Sequence, residues 1–376
     1  MEFGAVYDVP KDGRLKVLGS VGCEPMAWDE SGEELEIWLD NGLNPGYWLD
    51  FDRMETLGKK ILIKFGVELQ TPYDFSGLFA GCSELLEVSG LDTSNGTNFS
   101  GMFWGCSKLA SVPLLDTHNG RTFSAMFRGC ESLEKIPAFD THNGKNFHGM
   151  FWNCSELAGV PLLDTSNGLN FSLMFFGCSE LASVPLLDTH NGVHFIEMFK
   201  DCKSLSSVPA FDTSNGTDFS AMFAGCSELA GVPLLDTSKG TEFKAMFESC
   251  SELASVPLLD TSNGEDFRAM FRGCFKLASV PALDTHNGTD FSGMFRNCKS
   301  LKECPRLGVP LEALFSKMFA GCSGLVDVSK LTIWVGKNND GVDVAGMFDG
   351  CPNIGENMGP SLVIVKQNQN GTKLND

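Results

Sequence analysis

Residues 99–113 read Phe-Ser-Gly-Met-Phe-Trp-Gly-Cys-Ser-Lys-Leu-Ala-Ser-Val-Pro, and close copies of this phrase fill most of the chain. Eleven cysteines from Cys82 to Cys322 follow one another at intervals of 24 residues, and Cys351 comes 29 residues later. A fixed period of this length is typical of a solenoid, in which each repeat covers the apolar face of its neighbour. The phrase therefore predicts that residues at one repeat position form a row along the array.

Within one repeat, the sequence pattern predicts three local elements. Residues 99–106 place Phe, Met, Phe and Cys at i, i+3, i+4 and i+7, which is one face of a short helix. Residues 112–115, Val-Pro-Leu-Leu, predict a brief strand, because proline removes one ladder donor. Residues 116–120, Asp-Thr-His-Asn-Gly, predict a turn whose glycine takes a positive φ. We therefore predict an α/β repeat fold, a leucine-rich-repeat solenoid of about 11–12 units of 24 residues.

The two ends of the chain depart from the repeat. Residues 1–70 predict a small β-rich N-terminal domain, either a cap over the open edge of the array or an attachment domain that docks it onto a larger particle. The solenoid is predicted for residues 71–322, and a divergent last repeat with a C-terminal cap and tail for residues 323–376. The strands predicted in the N-terminal domain are 14–21, 34–39 and 60–69.

The 14 cysteines raise the question of disulfides. Neighbouring repeats would bring equivalent cysteines to about the 4.8 Å strand spacing, so distance alone allows pairing. A cysteine that recurs just after Met-Phe nevertheless fits a small buried core residue. We expect buried free thiols.

The formal net charge of −20 and the pI of about 4.7 argue against nucleic acid as a partner, since a phosphate backbone would be repelled. No segment approaches 18 consecutive apolar residues, so we expect no membrane insertion. Residues 1–8 have neither a basic stretch nor an apolar core, and no secretory signal is predicted. Synthesis and assembly in the cytosol are therefore expected.

The repeat Phe-Ser-x-Met-Phe-x-Gly-Cys-Ser-x-Leu-x-x-Val-Pro-x-Leu-Asp-Thr-Ser-Asn-Gly, represented by residues 219–240, resembles the BspA-like leucine-rich repeat. It is particularly similar to the subgroup found in Mycoplasma-type surface lipoproteins and in bacterial and phage surface proteins. The resemblance covers residues 71–350 and implies a solenoid without catalysis that adheres to host molecules or cells. The lack of an export signal departs from the secreted members, whereas a bacteriophage virion protein, assembled in the cytosol and freed by lysis, needs none.

An aspartate recurs at the start of the predicted turn. Stacked carboxylates about 5 Å apart repel one another, so backbone N–H groups, threonine hydroxyls or bound cations must offset the repulsion. Each turn offers fewer oxygens than a calcium site needs, and a turn-capping role is therefore favoured over calcium binding. The aspartates are Asp92, Asp116, Asp140, Asp164, Asp188, Asp212, Asp236, Asp260 and Asp284.

No residue pattern indicates an enzyme. His118 shares its repeat position with serine in other repeats, which argues against metal ligation. Any Ser, His and Asp in this chain recur by repetition, and neither a P-loop nor a Gly-x-Gly-x-x-Gly motif is present. We predict no catalytic residue, no metal and no cofactor.

The residue after each Met-Phe pair varies from repeat to repeat. Stacked along the helical side, these residues would form a row whose first half alternates aromatic and basic side chains, which are enriched in binding hot spots. An exposed position under no constraint would vary in the same way, so both interpretations stay open. The candidate ligand-binding residues are Trp104, Arg128, Trp152, Phe176, Lys200, Arg272 and Arg296.

Together with the residue patterns, the resemblance implies a non-enzymatic recognition or adhesion protein, displayed on the tail or surface of a bacteriophage virion, that binds a host-surface protein or glycan. One alternative is an architectural or decoration component of the virion without a ligand. Another is a bacterial surface adhesin exported by an unidentified route. Residues 1–70 are predicted to contact other virion proteins, and homo-oligomerisation is left open.

Overall fold

β-Strands occupy both ends of the described chain, and a long array of hydrogen-bonded turns lies between them in sequence. The strands are β1 (Glu2–Asp8), β2 (Arg14–Leu18), β3 (Cys23–Asp29), β4 (Glu34–Leu35), β5 (Trp38–Asp40), β6 (Tyr47–Asp50), β7 (Lys60–Val67), β8 (Leu85–Ser89), β9 (Leu307–Val309), β10 (Leu331–Val335), β11 (Val363–Gln367) and β12 (Lys373–Leu374). This computed structural model describes residues 2–8, 14–18, 23–29, 34–35, 38–40, 47–50, 60–67, 74–309, 313–335, 345–354, 363–367 and 373–374.

The chain divides into two compact units, unit 1 (Met1–Asp188) and unit 2 (Thr189–Asp376). The division falls inside the repeat array. The domain boundaries that the sequence predicts after residues 70 and 322 remain predictions.

In unit 1, the N-terminal strands pair with the first repeat. β1 lies between β7 and β8, antiparallel to both, in a sheet of order β4-β3-β7-β1-β8. Ala5 and Tyr7 of β1 are buried. The Lys108 ammonium adds ion pairs with the carboxylates of Asp8, at 3.0 Å, and Glu84, at 2.5 Å. Because β8 belongs to the first repeat, the N-terminal sheet is hydrogen-bonded directly to the array.

The three strands predicted near the N-terminus are found where the sequence predicts them, but the structure contains further strands between and before them. β2 lies within the predicted strand 14–21, β4 and β5 overlap 34–39, and β7 lies within 60–69. The sequence does not predict β1, β3 or β6. β2, β6 and β5 form a second antiparallel sheet in this unit.

Each repeat contains a run of tight turns where the sequence predicts a short helix. In residues 99–106, alternate N–H groups bond within the run and the others donate to the next repeat, as Phe103 N–H does to Met126 O at 2.8 Å. Gly101 and Gly105 have φ angles of 60° and 75°, in the left-handed region that cannot continue an α-helix. The predicted helix is therefore wrong, and the described residues contain only strands and turns. Among them, no helical segment has the length and apolar character needed to cross a bilayer.

The predicted in-register rows of the solenoid interior are present in each unit. Successive phenylalanine rings of the two rows stack with centroids 5.3–5.8 Å apart in unit 1. The corresponding separations in unit 2 are 5.3–5.9 Å. The rings are buried together with the methionine, cysteine and leucine of each repeat. At about 1.5–3 kcal/mol for each large apolar side chain, this interior is the main source of stability.

The expectation of free buried thiols is confirmed for the 13 cysteines whose side chains the structure describes. Ten of the ladder thiols donate to a phenylalanine carbonyl of the preceding repeat, as Cys178 Sγ does to Phe151 O at 3.1 Å. Burial raises the pKa of Cys178 to about 12, so its thiol stays protonated at neutral pH and keeps its hydrogen for this bond. The side chain of Cys23 lies outside the described part.

The predicted strand at residues 112–115 is wrong, because this segment has no regular secondary structure. Ser111 makes one isolated bridge to Lys135, and no named strand occurs between β8 and β9 among the described residues. Pro113 offers no N–H group, which interrupts pairing after that bridge. Near the C-terminal end of unit 2, the chain forms a four-stranded sheet of order β12-β11-β10-β9. In this sheet, β9, β10 and β11 are parallel, and β12 is antiparallel to β11.

The turn at residues 116–120 forms as predicted, but its glycine serves another purpose. The hydroxyl of Thr117 donates to Asp140 O of the next repeat at 2.7 Å. Gly120 lies outside the left-handed region, and a Cβ at this position would be 2.5 Å from Cζ of Phe123. Glycine is therefore required because the phenylalanine ring lies against its Cα, and not because of its φ angle.

Candidate functional site

In unit 1, the variable residue after each Met-Phe pair is exposed or half-buried, because the backbone on either side of it directs its side chain away from the interior. In the Trp104 repeat, Phe103 is buried, while Gly101 and Gly105 are left-handed. Trp104 N–H donates to Gly101 O at 3.0 Å, which closes the turn and directs the indole outward. The Trp104 side chain is 50% exposed.

Four of the predicted ligand-binding residues are brought together in unit 1, and we call Trp104, Arg128, Trp152 and Phe176 the tryptophan–arginine ladder. Cζ of Arg128 lies 5.2 Å from the ring centroid of Trp104 and 3.6 Å from that of Trp152. The Trp152 and Phe176 rings follow at 5.4 Å with an interplanar angle of 58°. A guanidinium held between two indole faces is fixed in orientation by cation–π attraction.

Arg128 is the positively charged residue of the tryptophan–arginine ladder. His148 lies beside it, and burial lowers the pKa of this histidine first, with the Arg128 charge as the second cause. His148 is therefore neutral at physiological pH. None of the ion pairs among the described residues includes Arg128. The guanidinium edge is thus available to a carboxylate, a sulfate or a carbonyl group of a ligand.

The three predicted residues of unit 2 do not form a comparable cluster. Lys200 pairs with Glu197 at 2.6 Å, and Arg272 forms an ion pair with Glu248. Arg296 is exposed. The same position is occupied by small buried residues elsewhere in this unit, namely Ala224 and Ala320. In unit 2, the row is therefore a surface of local ion pairs and small residues.

The aspartates of the turn act as caps, as the sequence favours. Oδ1 of Asp116 accepts the backbone N–H of His118 at 3.3 Å and lies 2.6 Å from its Nδ1. These hydrogen bonds lower the pKa of Asp116, the side chain of His118 first and its backbone second. The other ring nitrogen of His118, Nε2, lies 2.7 Å from Nδ2 of Asn119. Both ring nitrogens are thus engaged within the turn, and the described residues contain no cluster that could hold a metal ion.

Sequence reasoning missed a second exposed row, formed by the first leucine of the Pro-Leu-Leu triplet. Leu114 is largely exposed, whereas Val112 and Leu115 on either side of it are buried. The signal was present, because this position is alanine at Ala138, where the next residue, Phe139, takes the interior position. When one position holds leucine in some repeats and alanine in others, while the next position is always large and apolar, the variable position is expected to be exposed.

Comparison with known proteins agrees with the repeat. The model of the family described as "Mycoplasma protein of unknown function, DUF285" matches residues 73–185, 155–256, 193–305, 217–328 and 252–359. No curated protein matches the chain. Among solved structures, the chain is similar to the crystal structure of the T. pallidum leucine rich repeat protein TpLRR, with 20% identity and a TM-score of 0.23 over 54% of this chain and 69% of that one.

The overlapping family matches together run from residue 73 to residue 359, which is well over half of the chain. They confirm the resemblance to the Mycoplasma-type repeat that the motif of residues 219–240 indicates. On these grounds, the chain is a repeat-solenoid protein that belongs to the DUF285 family.

Proposed function

We propose that the chain is a non-enzymatic recognition protein that binds a host-surface protein or glycan through the tryptophan–arginine ladder of unit 1. The observation that carries this proposal is the position of Arg128, which is held between the Trp104 and Trp152 rings with no carboxylate partner among the described residues. Aromatic faces stack on sugar rings and on apolar side chains, and the fixed guanidinium supplies directional hydrogen bonds. Tryptophan and arginine are also the residues that most often dominate binding energy.

The proposal narrows the predicted site to four residues. Lys200 and Arg272 pair with carboxylates of their own unit, which favours a structural role for them. Arg296 remains a prediction from the sequence. The thiol of Cys106 and the single oxygen Oδ1 of Asp116 take part in hydrogen bonds within the array, which supports a protein without catalysis.

Display on a bacteriophage virion, with attachment through residues 1–70, is part of the same proposal. It is supported by the resemblance of the repeat to phage surface proteins and by the pairing of β1 with β8, which connects the N-terminal sheet to the array. Mass spectrometry of purified particles would test the location. Detection in bacterial envelope fractions, and not in particles, would favour an exported adhesin.

Binding is tested with the full-length chain on immobilised glycans and on whole bacterial cells. Trp104→Ala combined with Trp152→Ala should weaken binding by about tenfold or more, because the rings and the Arg128 orientation are lost together. Lys200→Ala combined with Arg272→Ala is the matched control, since these residues hold the same repeat position in unit 2 and pair with carboxylates of their own unit. Wild-type binding by the tryptophan variant contradicts the proposed site, and no binding by the wild-type chain favours the architectural role.

A further inference from the structure

The leucine row of unit 1 is an exposed apolar surface that lies outside the tryptophan–arginine ladder. It consists of Leu114, Leu162 and Leu186, whose exposed fractions are 71%, 66% and 60%. Each follows a proline and precedes a buried leucine. Large apolar side chains this exposed, recurring at one position of a repeat, are typical of an interaction surface and not of scattered exposure.

The leucine row is not required by the fold. Ala138 replaces the leucine within unit 1, and Ala210 and Ala282 replace it in unit 2, each followed by a buried Phe or Leu. The repeat therefore folds with alanine at this position. The leucines contribute little to the interior and much to the surface.

A row of carboxylates runs beside the leucine row. Leu114 and Asp116 are both exposed and Leu115 between them is buried, so the carboxylate lies on the same outward side as the leucine. Asp140 and Asp164 hold the same position in the next two repeats and are also exposed. The hydrogen bonds of the turn lower the pKa values of Asp116 and Asp140, with the histidine side chains as the first cause, so both carboxylates are ionised at neutral pH.

The negative charge beside the leucine row limits which molecules can bind there. A second copy of the chain would bring an identical carboxylate row and a net charge of −20 against the first, which opposes self-association. Anionic lipid headgroups and nucleic acid are repelled for the same reason. A segment that combines apolar with basic side chains matches both rows at once.

We propose that the leucine row and its carboxylates bind a basic amphipathic polypeptide segment of another protein. Leu114, Leu162 and Leu186 take up its apolar side chains, and Asp116, Asp140 and Asp164 pair with its lysines or arginines. Unit 2 repeats the arrangement with Leu234 and Leu258 beside Asp236 and Asp260. This inference is independent of the proposed function, because it uses a different row of each repeat.

The test uses the full chain and three synthetic peptides of equal length: one alternating leucine with lysine, one with serine in place of leucine, and one with glutamate in place of lysine. Fluorescence anisotropy should show binding of the leucine–lysine peptide, and binding about tenfold weaker or undetectable for the other two. Equal binding of the serine–lysine peptide would overturn the proposal, because attraction to an acidic protein alone would then explain the result.

A variant of the protein that keeps its net charge also separates binding by the leucines from simple attraction to an acidic protein. Replacing Leu114, Leu162, Leu186, Leu234 and Leu258 by alanine leaves the carboxylates in place and introduces a residue the repeat already carries. Binding of the leucine–lysine peptide should fall by about tenfold or more, while Trp104→Ala, the matched control on the ladder, should leave it unchanged. Undiminished binding by the alanine variant overturns the proposal, and so does sedimentation of the wild-type chain as a dimer that the alanine variant does not form.

Discussion

Unit 1 and unit 2 have the same interior and different surfaces. Phenylalanine rings stack at the same spacing in both, and the thiol of each repeat is buried in both. Outside, unit 1 presents indole rings around Arg128, whereas unit 2 presents ion pairs such as Arg272 with Glu248. The contact between neighbouring repeats thus fixes the inward residues, while the outward residues are free to differ.

The backbone shows the same division. Among the residues that the structure describes, left-handed residues other than glycine number three in unit 1, namely Ala125, Asn153 and Leu173. In unit 2 they number eight. The start of the turn run differs as well. After Asp74, unit 1 has the uncharged residues Asn98, Thr122, Asn146 and Asn170 at this position, whereas unit 2 has four successive acidic residues between His194 and Leu314, namely Asp218, Glu242, Asp266 and Asp290. Unit 2 therefore carries more local strain and more like-charge contact on the same framework.

The strongest test of the shared interior removes one stacked ring from each unit. Phe99→Ala and Phe243→Ala should each lower the free energy of unfolding by about 3–5 kcal/mol, because both rings are fully buried and leave a cavity. Urea denaturation followed by circular dichroism measures the loss. If one variant were affected far more than the other, the two interiors would not be equivalent.

A second pair of variants tests the close approach of glycine to the rings. A Cβ on Gly120 or Gly240 would lie 2.5 or 2.7 Å from Cζ of the phenylalanine three residues later. Alanine at either site should lower the free energy of unfolding by about 1–3 kcal/mol in the same denaturation experiment. Gly159→Ala is the control: no atom lies within 4 Å of its Cβ position, and a gain of up to about 1 kcal/mol is expected.

The strain of unit 2 can be relieved at Ser249, which has a φ angle of 62°. Gly225 and Gly273 hold the same position in the adjacent repeats. Ser249→Gly should raise the free energy of unfolding by about 0.5–1 kcal/mol, because a left-handed serine costs more than a left-handed glycine. Ser255→Gly should bring no gain, since Ser255 is not left-handed and glycine occurs there naturally at Gly159 and Gly231. Equal effects of the two changes would contradict the argument from strain.

The smallest expected effect concerns the acidic residues of unit 2. Burial raises the pKa of Glu242 above 4.5, and Asp266 and Asp218 raise it further. The folded state therefore disfavours the ionised carboxylate. Glu242→Gln should raise the unfolding temperature at neutral pH, and this gain should disappear as the pH falls below about 4.5.

Two comparisons control the pH measurement. Asn146→Asp, at the equivalent position of unit 1, should have a smaller effect, because its neighbours Thr122 and Asn170 are uncharged. Asp116 is the opposite case: its pKa is lowered from 3.8, so its stabilising contribution is present above that pH and is lost as the pH falls through the folded-state pKa. A gain for Glu242→Gln that persisted in acid would exclude a charge effect.

The sequence predicted the row structure of the interior, because a strict period of 24 residues leaves each apolar position facing its own copy. It mispredicted the helix, since the spacing of Phe99 and Cys106 fits helical and consecutive-turn backbones alike. Left-handed residues distinguish the consecutive-turn backbone from a helix, and they include Ala125 and Leu173. Alanine and leucine rarely adopt a positive φ, so the sequence does not indicate this conformation. At Ala125, the N–H donates to His148 O of the next repeat at 2.8 Å, a contact that favours this conformation.

The residues of the candidate site could be predicted from the sequence, but the contacts between their side chains could not. The alternation of Trp104, Arg128 and Trp152 follows from the period, whereas the placement of the guanidinium between the rings depends on side-chain rotamers. The pattern Val-Pro-Leu-Leu predicts a strand and gives no sign that Leu114 is exposed, whereas the alanine at position 138 indicates it.

The hydrogen bond from each ladder thiol to a carbonyl has a consequence for where this protein can work. Cys106 and Cys130 are neutral donors, at 3.1 Å from their acceptors, and they supplement the packed interior without a covalent cross-link. The 13 cysteines whose side chains the structure describes are all free. The described array therefore contains no cross-link that an oxidant must form or that a reducing compartment could break.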